Sequence, residues 1–240
     1  MLTPDLSSAG VPLEASSPAM RTVVAIVATV AAHDVPVLFR GESGSGKSVL
    51  ARALHGASPR RAGPLVRVDC RALEGEGLAT ARALHAALAG AAGGTVLLEE
   101  VGGLPKPLQG PVASLIEPTR SAGAGVRVVA TSARDLEGAA RAGQFSEELL
   151  ARLAVIEIRV PSLRERREDI LPLARRFVVA FTLGDELPPA LTARAERALL
   201  AYAWPGNVRE LRNAMQRAVI VSQGAVLDLD ALPPKLSAGG

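Results

Sequence analysis

Short apolar runs alternate with stretches of helical spacing through the first two-thirds of the 240-residue chain, and helical spacing alone follows. Val35 to Phe39, Pro64 to Asp69, Thr95 to Glu99, Val126 to Thr131 and Val155 to Val160 are short and rich in valine, leucine and isoleucine. Each reads as a strand. Between them, helical spacing predicts a helix from Pro18 to about His33, with proline in its first turn. Further helices are predicted over Ser48 to His55 and roughly Leu78 to Ala92, the latter ended by Gly93-Gly94. Strands alternating with helices imply an α/β fold, a parallel five-stranded sheet covered on both faces. After Pro161 the pattern predicts helices only, over about Glu168 to Thr182, Thr192 to Tyr202 and Asn207 to Ser222. Residues 1–164 therefore form an α/β subdomain with a loose lead-in over 1–17. Residues 165–235 form a small all-helical subdomain, and 236–240 a tail. Pro105, Pro107 and Gly110-Pro111 are expected to break the helix after the third strand, because proline removes a donor and clashes with the preceding turn.

The segment Gly41-Glu-Ser-Gly-Ser-Gly-Lys-Ser48 lies between the first strand and the helix after it. This is the Walker A arrangement. Its glycines let successive backbone N–H groups converge on an anion, and the helix N-terminus adds partial positive charge. Gly41, Glu42, Ser43, Gly44, Ser45 and Gly46 are the candidate cradle. Lys47 is placed to reach the outer phosphates of a nucleoside triphosphate, and Ser48 to ligate Mg²⁺. The third strand delivers Glu99 and Glu100 to the carboxyl edge of the sheet, where ligands of open α/β sheets bind. Glu99 is the candidate for holding Mg²⁺, and Glu100 for orienting or deprotonating the attacking water.

Composition narrows the remaining classes. Lys+Arg 27 against Asp+Glu 24 leaves a net charge of +3, which does not describe a dedicated nucleic-acid binder. Aromatics are only 2%, so the core must be aliphatic. The single cysteine, Cys70, excludes an internal disulfide framework and suits a reducing compartment. The apolar stretch Thr22 to Ala32 is too short to span a bilayer. A cytoplasmic protein with no membrane partner is expected. The charged run Arg164 to Asp169 reads as a solvated surface at a helix start, and Trp204 as a packing anchor.

Residues from about Ser16 to Pro234 resemble the AAA+ ATPase domain of bacterial enhancer-binding proteins, the NtrC-like activators of sigma-54 RNA polymerase. The resemblance rests on Ser17-Pro-Ala-Met-Arg21, Gly41 to Lys47, Gly93-Gly-Thr-Val-Leu-Leu-Glu-Glu100, Val160 to Ile170 and Trp204-Pro-Gly-Asn-Val-Arg-Glu-Leu211. It implies a P-loop NTPase with a helical lid, and a ring of identical subunits, commonly six, with ATP held between neighbours. It also implies that Arg209 is a sensor touching the γ-phosphate, that Arg152 is an arginine finger acting across the interface, and that Ser132 stands at the first sensor. RNA polymerase or related activators are the implied partners.

Several positions depart from that family. Arg71 to Gly94 lacks the hairpin motif Gly-Ala-Phe-Thr-Gly-Ala that engages sigma-54. Asp69 stands where an asparagine usually switches the Walker B glutamate, and Glu99 where an aspartate is usual. Ser132-Ala133 replaces Thr followed by Asn or His, and Ser146 replaces the first of two interface arginines. Binding of Mg·ATP is expected to survive these changes, and turnover to be weakened. No DNA-binding module is legible in this chain. The alternative reading is a nucleotide-responsive, hydrolysis-poor interaction module acting independently of sigma-54.

Overall fold

The computed structural model describes residues 13, 15–73, 82, 84, 86, 89–116, 125–182, 187–222 and 226–237. They fall into two compact units. The first holds Val23–Gly41 and Lys47–Val160; the second holds Pro161–Gly240 together with Glu14–Thr22 and Glu42–Gly46.

The first unit is built on five parallel strands: β1 (Val37–Arg40), β2 (Leu65–Asp69), β3 (Thr95–Glu99), β4 (Arg127–Ser132) and β5 (Ile156–Arg159), in the order β2-β3-β4-β1-β5. The five predicted strands are all present, with ends that differ by a residue or two. Register aligns the candidate residues along one edge: Asp69 lies opposite Glu99, and Arg40 opposite both Ser132 and Arg159. Helix α1 (Pro18–Ala31) belongs to this unit from Val23 onward, with α2 (Lys47–Gly56), α3 (Lys106–Leu115), α4 (Leu136–Arg141) and α5 (Glu147–Leu153). Leu38, Val96, Leu98, Val128 and Ala130 of the sheet pack with Leu108 and Val112 of α3 and with Leu149 and Leu153 of α5. Cys70 is buried in the same cluster, and burial pushes its thiol up to about 12, so it is inert. Arg127 is also buried, and its guanidinium donates to the carbonyls of Val30, Ala31 and Val35 at 3.0–3.3 Å. A cation there satisfies the orphan carbonyls and the negative dipole end of α1.

The expected break after β3 is corrected by α3. Pro105 is its N-cap and Pro107 lies in its first turn, where no intrahelical N–H is required. Only Pro111 sits inside, at the loss of one backbone bond. The predicted helix over Leu78 to Ala92 lies largely outside the described residues; Leu84 and Ala91 are buried. Among the described residues no helix is long and apolar enough to cross a membrane.

The second unit contains α6 (Ile170–Phe181), α7 (Ala193–Ala201), α8 (Asn207–Ser222) and α9 (Pro234–Ser237). The expectation of helices alone is corrected by a two-residue parallel pair, β6 (Ala190–Leu191) with β7 (Val226–Leu227). These segments are too short for periodicity to reveal. Ile170, Ala174, Val178, Leu199, Leu211 and Met215 surround Trp204, which is fully buried. The Trp204 indole donates to the Leu199 carbonyl at 2.8 Å and meets the Tyr202 ring edge-on at 5.1 Å, so it is the packing anchor.

Candidate functional site

In the first unit two of the candidate side chains, Lys47 and Glu100, meet at the carboxyl edge of the sheet. Lys47 opens α2 and is 4% exposed. Its ammonium donates to the Gly41 carbonyl at 2.9 Å and lies 3.0 Å from Glu100 Oε1. Glu100 follows β3 directly with φ 52°, a left-handed conformation that costs a non-glycine residue strain. That strain is held from β4. The Glu100 amide donates to Thr131 Oγ1 at 3.0 Å, and its second carboxylate oxygen accepts from the Ala133 amide at 2.9 Å. A carboxylate fixed at both ends beside a buried ammonium can orient a water or exchange partners with a phosphate.

The other candidates of this unit are differently placed. Glu99 lies 2.7 Å from the Arg67 guanidinium on the neighbouring strand. Asp69 accepts from the Arg71 amide at 3.0 Å and its guanidinium at 3.3 Å, and that partner holds its carboxyl below the usual range. No described contact joins Asp69 to Glu100. The Ser132 hydroxyl is buried and bonded within its own turn, to the carbonyl and amide of Arg134. Ser48 is half-buried on the second residue of α2. Ser146 caps α5, its hydroxyl accepting from the Leu149 amide at 3.2 Å. Arg152, on the same helix, donates to the Ala113 carbonyl at 2.8 Å and pairs with Glu148 at 2.7 Å. Among the described residues no three His, Cys, Asp or Glu side chains cluster to hold a metal. Ser48 and Glu99, the magnesium candidates, share no described contact; Glu99 is instead held by Arg67.

In the second unit the loop Glu42–Gly46 is gripped by side chains from Arg164 to Arg209. Arg164 pairs with Glu42, and Asn207 donates to the same carboxylate at 3.0 Å; these partners hold its pKa at about 2. Arg209 donates to the Ser43 hydroxyl at 3.0 Å. Gly44 has φ +77°, and a Cβ there would lie 2.3 Å from the Gly206 carbonyl. Glycine is therefore required by close approach as well as by torsion. A cavity of about 510 Å³ is lined by Ser43, Arg209, Asn213, Arg217 and Lys235.

Here the reading of Arg164 to Asp169 as solvated surface is corrected. Arg164 is exposed, but Arg166 and Asp169 are buried. Asp169 accepts from the Ser17 amide at 2.7 Å and the Ser17 hydroxyl at 2.9 Å, and Arg166 lies 3.8 Å from it. Arg166 also donates to the Ser45 carbonyl at 2.5 Å, and burial lowers its pKa. Two successive 3₁₀ turns, Leu163–Glu165 and Arg167–Asp169, turn every third residue, Leu163, Arg166 and Asp169, inward.

Residues 13–159 match the model of the Sigma-54 interaction domain, and residues 164–240 that of the AAA+ ATPase lid domain. The chain belongs to the sigma-54 interaction domain family. Over 242 residues it is 40% identical to the alginate biosynthesis transcriptional regulatory protein AlgB of Pseudomonas aeruginosa, covering 92% of this chain and 54% of the relative. It is 38% identical to the transcriptional regulatory protein FlbD of Caulobacter vibrioides, covering 90% and 52%. The crystal structure of NtrX from Brucella abortus in complex with ATP superimposes with a TM-score of 0.85 at 29% identity, over 97% of this chain and 57% of that one. The chain spans about half the length of the curated relatives it matches.

Sequence reasoning about this sigma-54 interaction domain missed Asn207, Arg166, Ser17 and Thr131. Asn207 had a legible signal: an asparagine after Pro-Gly at a helix start tolerates the left-handed backbone it adopts, φ 54°. Thr131 and Ser17 are ordinary residues whose use depends on the register of distant segments.

Proposed function

We propose that this domain binds Mg·ATP and hydrolyses it slowly at the boundaries between copies assembled in a ring, as the ATPase part of a sigma-54-dependent transcriptional regulator. The observation that carries the reading is the buried Lys47 ammonium beside Glu100, at the head of α2 and the end of β3. In the proposed complex Lys47 contacts the outer phosphates, Ser48 and Glu99 hold Mg²⁺, Glu100 orients the attacking water, and Arg209 reads the γ-phosphate. NtrX, 29% identical, has been crystallised with both ATP and ADP, which supports the nucleotide.

The slow turnover is argued from Ser146 and Asp69. An arginine finger is worth roughly 10³–10⁵ in rate, and Ser146 has no guanidinium to offer; its hydroxyl closes α5 instead. Asp69 pairs with Arg71, away from any role in switching Glu100. A missing sigma-54 contact hairpin is supported by the sequence of Arg71 to Gly94, which lacks the Gly-Ala-Phe-Thr-Gly-Ala motif.

The test is calorimetry with a phosphate-release assay across protein concentrations. Specific activity rises with concentration, Lys47→Ala abolishes binding, and Arg152→Ala abolishes release while sparing binding. Activity indifferent to both concentration and Arg152 would refute the shared site. The second reading, a nucleotide-responsive module that does not turn over, is favoured by the intrachain engagement of Arg152 with Ala113 and Glu148. Phosphate release within minutes in a single turnover decides against it.

A further inference from the structure

Three successive carbonyls of the glycine-rich loop accept hydrogen bonds from the helical unit. The Ser43 carbonyl takes the Asn207 side-chain amide at 3.1 Å, Gly44 the Arg209 backbone amide at 3.4 Å, and Ser45 the Arg166 guanidinium at 2.5 Å. In a planar trans peptide the N–H of the next residue points opposite to the carbonyl. The N–H groups of Gly44, Ser45 and Gly46 are therefore turned away from these donors. That of Ser45 closes a turn on the Glu42 carbonyl at 3.2 Å; those of Gly44 and Gly46 remain directed to the far side.

We propose that Asn207 and Arg166 are positioning residues that preform the anion cradle, by claiming loop carbonyls without touching the nucleotide. The inference rests on the reading of the loop as a phosphate binder and deepens it. Asn207 is fully buried and held at φ 54°. Its carbonyl oxygen accepts from the Leu163 amide at 2.7 Å, while its NH₂ donates to Glu42 and to Ser43. Only an amide supplies an acceptor on one side and donors on the other. An aspartate would set a second carboxylate against Glu42 and against the Ser43 carbonyl. Arg166 is equally specific: it reaches Ser45 while countering Asp169, and a lysine is too short and too differently shaped to do both. Preorganising the cradle acts on every nucleotide that carries the inner phosphates. A γ-phosphate sensor, by contrast, distinguishes ATP from ADP.

That difference supplies the test. Titration of the full chain with Mg·ADP and Mg·ATP, in parallel with melting curves, gives for Asn207→Asp a loss of about tenfold or more, by the same factor for both nucleotides. Arg209→Ala weakens ATP more than ADP. Adding Glu42→Gln to Asn207→Asp restores part of the affinity, because the new amide donates to the aspartate. Where Asn207→Asp does not fold, Arg166→Lys carries the test and gives the same equal loss. A folded Asn207→Asp or Arg166→Lys variant that binds both nucleotides like the parent, or that loses ATP alone, overturns the proposal; so does a double variant with no recovery. A parent chain that binds neither nucleotide overturns the phosphate-binding reading underneath, and this one with it.

Discussion

The two units reach a fixed shape by different chemistry. In the first, strands of valine, leucine and alanine pack against aliphatic helix faces, and most buried polar groups, such as Arg127 and the His55–Thr95 pair, sit at the margins of that core. In the second, the buried polar residues Ser17, Arg166, Asp169 and Asn207 lie where the glycine-rich loop is fastened. Aliphatic packing tolerates exchange of similar volumes. A buried polar network does not, because each partner left behind is an unsatisfied charge or dipole. Position near the loop thus goes with intolerance.

Near-isosteric substitutions test that contrast most severely. Asp169→Asn strips the counter-charge from buried Arg166 and is expected to cost about 3–5 kcal/mol; Leu97→Met in the sheet costs under about 1.5 kcal/mol. Urea midpoints read both, and equal costs would abolish the distinction. Glycines sharpen it next. Gly44→Ala forces a Cβ against the Gly206 carbonyl and should weaken nucleotide binding about 100-fold or more, read by calorimetry. Gly110→Ala in α3 meets nothing within 4 Å and should add about 0.5–1 kcal/mol to stability, read from the melting temperature.

Acid separates the units more gently. Burial, with the nearby Arg127 charge, lowers the pKa of His55 below 6.5, so the unfolded chain binds that proton first. The stability His55 contributes is complete above pH 6.5 and is lost as pH falls below it. Glu42 has a folded pKa of about 2 against an ordinary 4.5, so its anchoring persists above pH 4.5 and is lost between there and pH 2. Stepwise acidification followed by amide exchange should therefore loosen the surroundings of His55 before the loop. His55→Gln should remove the first step alone.

The strands, their parallel arrangement, and the placing of Lys47 and Glu100 were all legible because they depend on short-range signals: apolar runs, glycines and a helix start. What stayed hidden depends on partners far apart in the chain. Arg166 and Asp169 look like their solvated neighbours Arg164 and Glu168 until 3₁₀ turns face them inward. Thr131 gains a role only because β4 lies beside β3, and Ser17 only because it meets Asp169, 152 residues away. Pro111 misled for the opposite reason: a local rule against it was outweighed by burial of Leu108, Val112 and Ala113 around it.

The indole at position 204 is the only one in the chain, and it stands beside the only phenol. Its emission therefore arises wholly within the helical half, two residues before the glycine that abuts Gly44. Selective excitation turns that half into its own optical gauge, in which a change at the loop can be followed as a shift in colour or intensity while the sheet stays dark.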